Sequence, residues 1–355
     1  MKYRILVTTA GGGNAINICR SLLDSFPRCF LVGVNANKFQ LAKAENTDVN
    51  YLVPKFSGVR YIEIMEEIVK KEKIDFVIPN HELEIQKIVH SDSQLLKDKC
   101  FLPKKEVVDL CINKYDLIKH LEAYDIAEVP KSLMLTSGWN ELREMEYPLW
   151  LRLTHGAGSQ GAFLSHEFEE SVFWIEYWMK HKDASPSNFM VSEYLPGEDH
   201  HYFSLWKNGE MIIGKTIKRL EYCCGKYTLT GTSSSPSLCK MVKRKDLDEL
   251  TERIIKAVDP KADGLYGIDY KESVDGRHCL TEINIGRFPR INLIFNLEQN
   301  RVNIAELYVK TGLQIPFEKP SMDFLYHKDE YLIRDFDTES IIKTFDEIED
   351  YYSVD

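Results

Sequence analysis

The strongest constraint on the fold lies in the first hundred residues, where short apolar runs alternate with helix-periodic ones. Residues 4–9, "RILVTT", read as a buried strand that ends in Gly11-Gly12-Gly13, and "NAINICRSLLDSF" follows with helical spacing. "FLVGVN" reads as a second strand, "YIEIMEEIVKKEK" as a helix and "IDFVIP" as a third strand. Strands separated by helices cannot close two-residue hairpins; the chain crosses over, and the resulting sheet is parallel. A Rossmann-like domain is therefore expected over residues 1–110.

A glycine turn between a strand and a helix invites a dinucleotide reading, because backbone amides and a helix N-terminus attract phosphate. Here the run is G-G-G-N-A-I-N rather than G-x-G-x-x-G, and the second strand ends at Asn35, where a ribose-binding Asp or Glu would be needed. A nicotinamide oxidoreductase is disfavoured on that mismatch. A tight turn or a substrate-binding loop is the better reading. Asn80, His81 and Glu82 follow the third strand, at the end where α/β sheets bind ligands. A capped helix start explains them equally well.

The 355 residues are enough for two or three domains and a large core. The net charge of −10 is concentrated, since eleven acids against three bases between Asp323 and Asp355 account for −8 of it. No basic footprint of a nucleic-acid binder is present. Eight cysteines at irregular spacing, without a C-x-x-C pair, point to reduced thiols rather than to a zinc site or a disulfide framework. The apolar run after Met1 is short for a signal peptide, and no stretch approaches a membrane span. A soluble cytoplasmic protein with no nucleic-acid or membrane partner is expected. For assembly only the general rule applies, that twofold dimers are commonest, so a homodimer is the default.

The middle of the chain reads differently. "YPLWLRLTHGAGSQGAFLSH" is an apolar strand holding Arg152, a loop with Gly156, Gly158, Ser159 and Gly161, and a return strand. Two residues suffice for a hairpin turn, so a longer tip with three glycines suggests a lid whose N–H groups can cover phosphate. "NFMVSEYLPGEDHHYFSLWKNGEMIIGKTIKRL" continues as strand, Pro-Gly turn, strand, Asn-Gly turn and strand. "KDLDELTERIIKAV" is an amphipathic helix, and a strand-like "YLIRDFD" lies in the acidic tail.

The segment "GLYGIDYKESVDGRHCLTEINIG", residues 264–286, is the most pointed. With Asp275-Gly276 as the turn, Tyr266, Ile268 and Tyr270 face Ile285, Ile283 and Thr281 to form an apolar surface. On the other face Asp269 stands opposite Glu282, with Asn284 alongside. Facing like charges destabilise a hairpin. Either the acids splay apart on a solvated face, or a hard divalent cation relieves their repulsion.

This order of elements resembles the ATP-grasp superfamily over roughly residues 4–315. Asp269, Glu282 and Asn284 match the D-x(12)-E-x-N pattern that holds two Mg²⁺ in D-alanine–D-alanine ligase and its relatives. The resemblance implies an α/β and α+β ATP-grasp fold, in which the parallel-sheet domain precedes two antiparallel-sheet subdomains that clamp ATP. It implies a small subdomain with a glycine-rich lid at 111–190, a large subdomain with the metal site at 191–320, and an acidic segment at 321–355. It also implies ATP and Mg²⁺ as cofactors, with Mn²⁺ as a substitute ion.

Position by position, Lys114 matches the phosphate-reaching lysine of the "DK" motif, and Arg152 stands where the family has lysine in "vvKP". Gly156, Gly158, Ser159 and Gly161 match the phosphate-covering loop. Glu193, Tyr194 and Leu195 match the adenine-reading hinge, and Glu198 the ribose-binding acid. Lys218 and Lys226 are candidates for a γ-phosphate contact. Many relatives read N-P-R after the last ligand; "NIGRFPRIN" instead displaces the arginine, leaving Arg287 and Arg290 as alternatives for a substrate carboxylate. The start of the chain and "DFVIPNHELEIQKI" resemble stand-alone proteins similar to carbamoyl-phosphate synthase large chain and amino-acid ligases of pyrrolysine synthesis. The implied activity is ATP-dependent joining of a small-molecule carboxylate to an amine through an acyl phosphate. Carboxyphosphate-type synthesis and a non-catalytic nucleotide-binding regulator are the alternatives.

Overall fold

In the computed structural model, residues 3–136, 138–155, 161–228, 233, 235–295, 302–321, 329–335, 341–344 and 346 are described. The opening alternation folds as a parallel sheet of order β3-β2-β1-β4, from β1 (Arg4–Thr8), β2 (Phe30–Asn35), β3 (Val49–Leu52) and β4 (Phe76–Ile78). Helices Gly13–Ser25 and Tyr61–Lys71 are among its connections. The edge strand β3 escaped the sequence reading because its four residues alternate between half-buried and exposed and carry no apolar run. The glycine turn is a tight one. Gly11 has φ +79°, and a Cβ there would lie 1.7 Å from the Gln40 carbonyl oxygen. Buried Asn35 donates to the Ala10 carbonyl and so ties down the same loop.

A second sheet, of order β5-β8-β6-β7, contains β5 (Ser132–Met134), β6 (Leu149–Leu153), β7 (Phe163–Ser165) and β8 (Phe189–Glu193). Helix Phe168–His181 covers it through Ile175, Trp174 and Trp178.

The third sheet has seven strands in the order β13-β12-β9-β10-β11-β14-β15. They are β9 (Asp199–Lys207), β10 (Glu210–Tyr222), β11 (Pro236–Val242), β12 (Gly264–Glu272), β13 (His278–Ile285), β14 (Glu330–Ile333) and β15 (Ile341–Thr344). The strand-like "YLI" of the acidic tail is thus β14, paired antiparallel with β11.

Strand alternation gives this sheet two unlike faces. Tyr202, Trp206, Tyr266, Ile268 and Tyr270 point to one side and pack with helices Lys105–Ile112, Lys114–Ala123 and Lys245–Val258. Each large side chain buried there contributes about 1.5–3 kcal/mol. The opposite face is divided along its length. Phe203, Leu205, Leu265, Ile213 and Ile217 join Ile5, Val7, Phe76 and Ile78 of the parallel sheet in one core. Further along the same strands the residues become Asp199, His201, Asp269 and Arg219. The candidate site is this polar end of an otherwise apolar face.

Along the β12–β13 hairpin Tyr266 pairs with Ile285, Ile268 with Ile283 and Asp269 with Glu282, as expected. Beyond Asp269 the register shifts, so Tyr270 pairs with Leu280 and not with Thr281. The bulge puts Leu280 in the core and frees Thr281, whose hydroxyl donates to the Asp269 carbonyl at 3.1 Å. The turn is also longer than an Asp-Gly pair alone. Ser273 and Arg277 close it, with Gly276 at φ +83°.

Candidate active site

Two strands bring the acids together. Asp269 and Glu282 sit side by side on β12 and β13, and Asn284 Nδ2 donates to Asp269 Oδ2 at 3.4 Å. Lys114 Nζ lies 3.4 Å from Glu282 Oε2. Its helix starts here because Asn113 caps it, accepting from the Tyr115 and Asp116 N–H groups, while the Lys114 N–H donates to the Thr154 carbonyl at the end of β6.

Arg152 on β6 is buried, and its Nη1 donates to the Thr281 carbonyl exposed by the bulge, at 2.9 Å. Its Nε and Nη2 are buried and have no hydrogen-bond partner among the described residues. Burial depresses the Arg152 pKa and the nearby Glu282 carboxylate opposes that shift. An unpaired buried guanidinium edge beside two carboxylates suits an anionic ligand.

The two acids are not equivalent. Burial pushes Asp269 up, but Arg219 and His201 outweigh it and hold the carboxyl well below the usual range. Glu282 is raised by burial and by Asp269, against Lys114. Arg219 Nη2 donates to Asp269 Oδ1 at 2.6 Å, and its Nη1 to Asp199 at 3.0 Å. Tyr222 donates its hydroxyl to Asp199 as well.

Asp199, His201 and Arg219 were missed in the sequence. The runs Asp199-His200-His201 and Lys218-Arg219 are visible there. What was not legible is the β9–β12 register that sets His201 opposite Asp269, since some sixty residues separate those strands.

The remaining candidates fall into groups. Arg287 Nε donates to Glu82 at 2.8 Å and Nη2 to the side-chain oxygen Oδ1 of Asn284, joining the hairpin to the parallel-sheet domain. Arg290 is exposed and makes no ion pair with the hairpin acids among the described residues. The capped-start reading of "NHE" holds, since His81 caps helix Glu82–His90; Glu82 reaches Arg287 and Asn80 accepts from Asn14.

In the expected hinge, Glu193 accepts from the Lys131 N–H at 2.8 Å and from Arg277 at 3.4 Å. The Tyr194 ring lies 6.5 Å from Trp150, and Leu195 is buried. Lys218 is ion-paired with Glu198, whose other oxygen is 3.5 Å from His200 and 3.8 Å from Arg244. Lys226 is exposed, its ammonium over the Tyr227 ring. Gly156, Gly158 and Ser159 lie outside the described residues. Gly161 has φ +70°, and its carbonyl accepts from Trp174 Nε1.

Among the described residues no group of three or more His, Cys, Asp and Glu side chains is placed to hold a metal. Asp269, Glu282 and Asn284 are two acids and an amide, all hard oxygen donors. That set suits a cation that takes one or two carboxylates from a protein and the rest of its shell from phosphate and water. No described helix is long and apolar enough to cross a membrane.

No protein-family profile matches the chain. It is 25% identical over 264 residues to a phosphoribosylamine–glycine ligase of Caldanaerobacter subterraneus, covering 72% of this chain but only 60% of that protein. Among solved structures, the L-amino acid ligase of Bacillus licheniformis superposes over 94% of this chain and 79% of its own, with a TM-score of 0.69 at 11% identity. The biotin carboxylase domain of the Hydrogenobacter thermophilus 2-oxoglutarate carboxylase, solved with MgADP and bicarbonate, gives 0.72 at 13% identity over 94% of this chain and 74% of that one. N5-carboxyaminoimidazole ribonucleotide synthetase of Thermotoga maritima gives 0.63 at 13% identity over 94% and 80%. The chain has the ATP-grasp fold.

Proposed function

We propose that the chain is an ATP-dependent carboxylate–amine ligase that works through an acyl phosphate. The observation that carries this reading is the pairing of Asp269 with Glu282, with Asn284 alongside, next to Lys114 and to the unpaired edge of buried Arg152. The named relative and the L-amino acid ligase structure support it, as does the MgADP of the biotin carboxylase domain.

Asp269, Glu282 and Asn284 would hold Mg²⁺, two ions by the hairpin pattern, with Mn²⁺ as substitute. Bound there, the metal supplies charge neutralisation between the phosphates during in-line transfer. Lys114 and Arg152 position the γ-phosphoryl group for attack by the substrate carboxylate, with Lys226 as a further candidate from the loop after β10. Glu193 to Leu195 line the adenine side. Glu198 is assigned to the ribose, with Lys218 as its ion-pair partner. Arg287, anchored by Glu82, is the better placed of the two arginines to receive a substrate carboxylate. The glycine loop at 156–161 excludes water from the acyl phosphate, and an amine then displaces phosphate. Phosphoryl transfer depends on positioning and electrostatics, so no protein nucleophile is required. All eight cysteines are free, which supports a reducing, cytoplasmic setting.

The test is ADP release from ATP across pooled amino acids, small peptides, amines and bicarbonate, with mass detection of the product. An amide product supports the ligase. ADP release driven by bicarbonate alone identifies the carboxyphosphate alternative. Nucleotide binding with no turnover in any pool overturns both in favour of a regulator.

A further inference from the structure

Behind the clamp stands a histidine that the ligase reading does not use. The β9–β12 register sets His201 directly across from Asp269, and its Nδ1 lies 2.5 Å from Asp269 Oδ1. The imidazole is almost wholly buried. It packs over Gly267, where a Cβ would lie 3.0 Å from its Cε1, and stacks on Phe203 at 6.3 Å. Two donors therefore converge on Asp269 Oδ1, from His201 and from Arg219 at 2.6 Å. Oδ2 takes a long contact from Asn284 at 3.4 Å, and the Glu282 carboxyl lies within hydrogen-bonding reach of the same carboxylate.

We propose that His201 is a positioning residue for the metal-binding carboxylate, fixing Asp269 through Oδ1 so that Oδ2 is presented to the cation. The inference rests on the cation clamp of the proposed function. Two features support it. A carboxylate that binds a cation can only accept, so the proton of this contact lies on Nδ1, and the 3.2 Å approach of Arg219 Nη2 to the same nitrogen is no competing hydrogen bond. Finally, Nε2 is buried with no hydrogen-bond partner among the described residues. A histidine kept only for packing would be replaced at no loss by an apolar ring. Nδ1–H is the part of it that acts.

The experiment measures Mn²⁺ affinity in the presence of ADP by electron paramagnetic resonance, with metal-free ADP affinity by calorimetry as the control. His201→Leu removes the donor, while His201→Asn keeps an N–H near the position of Nδ1. Loss of an outer-shell partner weakens metal binding by about 10–100-fold. The expected result is Mn²⁺ at least about tenfold weaker in His201→Leu and within about threefold of wild type in His201→Asn, with metal-free ADP affinity unchanged in both. Wild-type Mn²⁺ affinity in His201→Leu, or equal weakening in the two variants, overturns the proposal. If His201→Leu does not fold, Gly267→Ala replaces it. That variant keeps every donor but crowds the imidazole, so Mn²⁺ should weaken several-fold, and wild-type affinity overturns the proposal. No Mn²⁺ bound to wild type with ADP overturns the clamp itself, and this inference with it.

Discussion

Lys114 Nζ stands 3.4 Å from Glu282 Oε2, although the two residues belong to a helix start and a hairpin far apart in the chain. The contact is possible because the Lys114 N–H is bonded to the Thr154 carbonyl at the end of β6, and Arg152 on the same strand is bonded to the Thr281 carbonyl beside Glu282. The small sheet and the hairpin are thus tied at one point, and that point carries two cations, Lys114 and Arg152, beside the hairpin. A ligand's phosphates entering there would meet charge already fixed in place.

The two carboxylates should respond differently to neutralisation. Glu282→Gln removes repulsion at an already raised carboxyl, and the charge it costs is one partner of Lys114. Its melting temperature should equal or exceed that of wild type. Asp269→Asn leaves the buried Arg219 with Asp199 as its remaining carboxylate, so it should lose about 2 kcal/mol or more in urea unfolding. Repulsion between the acids would alone predict both variants to be at least as stable as wild type; the Arg219 contact is the reason to expect otherwise for Asp269. Turnover should fall by orders of magnitude in both, and near-normal activity at saturating Mg²⁺ would exclude the clamp.

Gly197 makes a different kind of prediction. Its N–H donates to the Glu272 carbonyl, and a Cβ would lie 2.7 Å from the Glu272 side chain, which itself accepts from the Glu198 N–H at 3.0 Å. Gly197→Ala should push the Pro196-Gly197 turn off the clamp hairpin. Overpacking of this kind costs about 1–3 kcal/mol. Thermal unfolding of the variant at wild-type temperature would show that the turn gives way freely.

What was legible in the sequence follows from the range of the interactions. The β1–helix–β2 alternation, the β9–β10 turn at Asn208-Gly209 and the facing of Asp269 and Glu282 are local, and periodicity with turn chemistry reveals them. The bulge at Thr281 was not legible, because Thr281 leaves the apolar face in favour of a hydrogen bond to the Asp269 carbonyl and a contact with Arg152 on another sheet. Helix Phe168–His181 was passed over for a related reason. Phe173, Tyr177 and Met179 are exposed, which blurs its apolar stripe. The pairing of Lys218 with Glu198, two residues assigned separate roles, depends on the β9–β10 register beyond the turn.

His200 predicts a pH dependence. Burial first, then the Arg244 cation and the neighbouring His278 imidazole, depress its pKa from 6.5 to about 4, with Glu198 and Asp199 opposing. The unfolded chain binds a proton that the folded chain refuses between those values, so stability rises with pH across that window. The contribution is complete above about pH 6.5 and is lost as pH falls toward 4. Its size is at most about 3 kcal/mol. Urea unfolding of wild type and His200→Gln at pH 4.5, 5.5 and 7 isolates it from other titrating groups. The difference in slope between the two should lie between pH 4 and 6.5; parallel curves would mean that His200 titrates normally.

The last prediction separates nucleotide recognition from chemistry. Ribose hydroxyls do not change during phosphoryl transfer, so a side chain that holds them contributes equally to ground and transition states. Glu198→Ala should raise the KM for ATP about tenfold, the effect of losing roughly 1.5 kcal/mol of hydrogen bonding to a charged group. Its kcat should hold within about threefold. The contacts of Glu198 with Lys218, His200 and Arg244 add a condition. Truncation frees Lys218, so Lys218→Met in the same background should restore none of the lost affinity if the ribose contact is direct. Arg152→Ala should behave in the opposite way. Its Nε and Nη2 are unpaired among the described residues, its charge interacts with that of Glu282, and charge that follows the transferring group is felt in the transition state. Steady-state kinetics with ATP as the varied substrate should therefore show kcat depressed for Arg152→Ala. A fall in kcat for Glu198→Ala together with a pure KM effect for Arg152→Ala would reverse the orientation of the nucleotide between the two sheets.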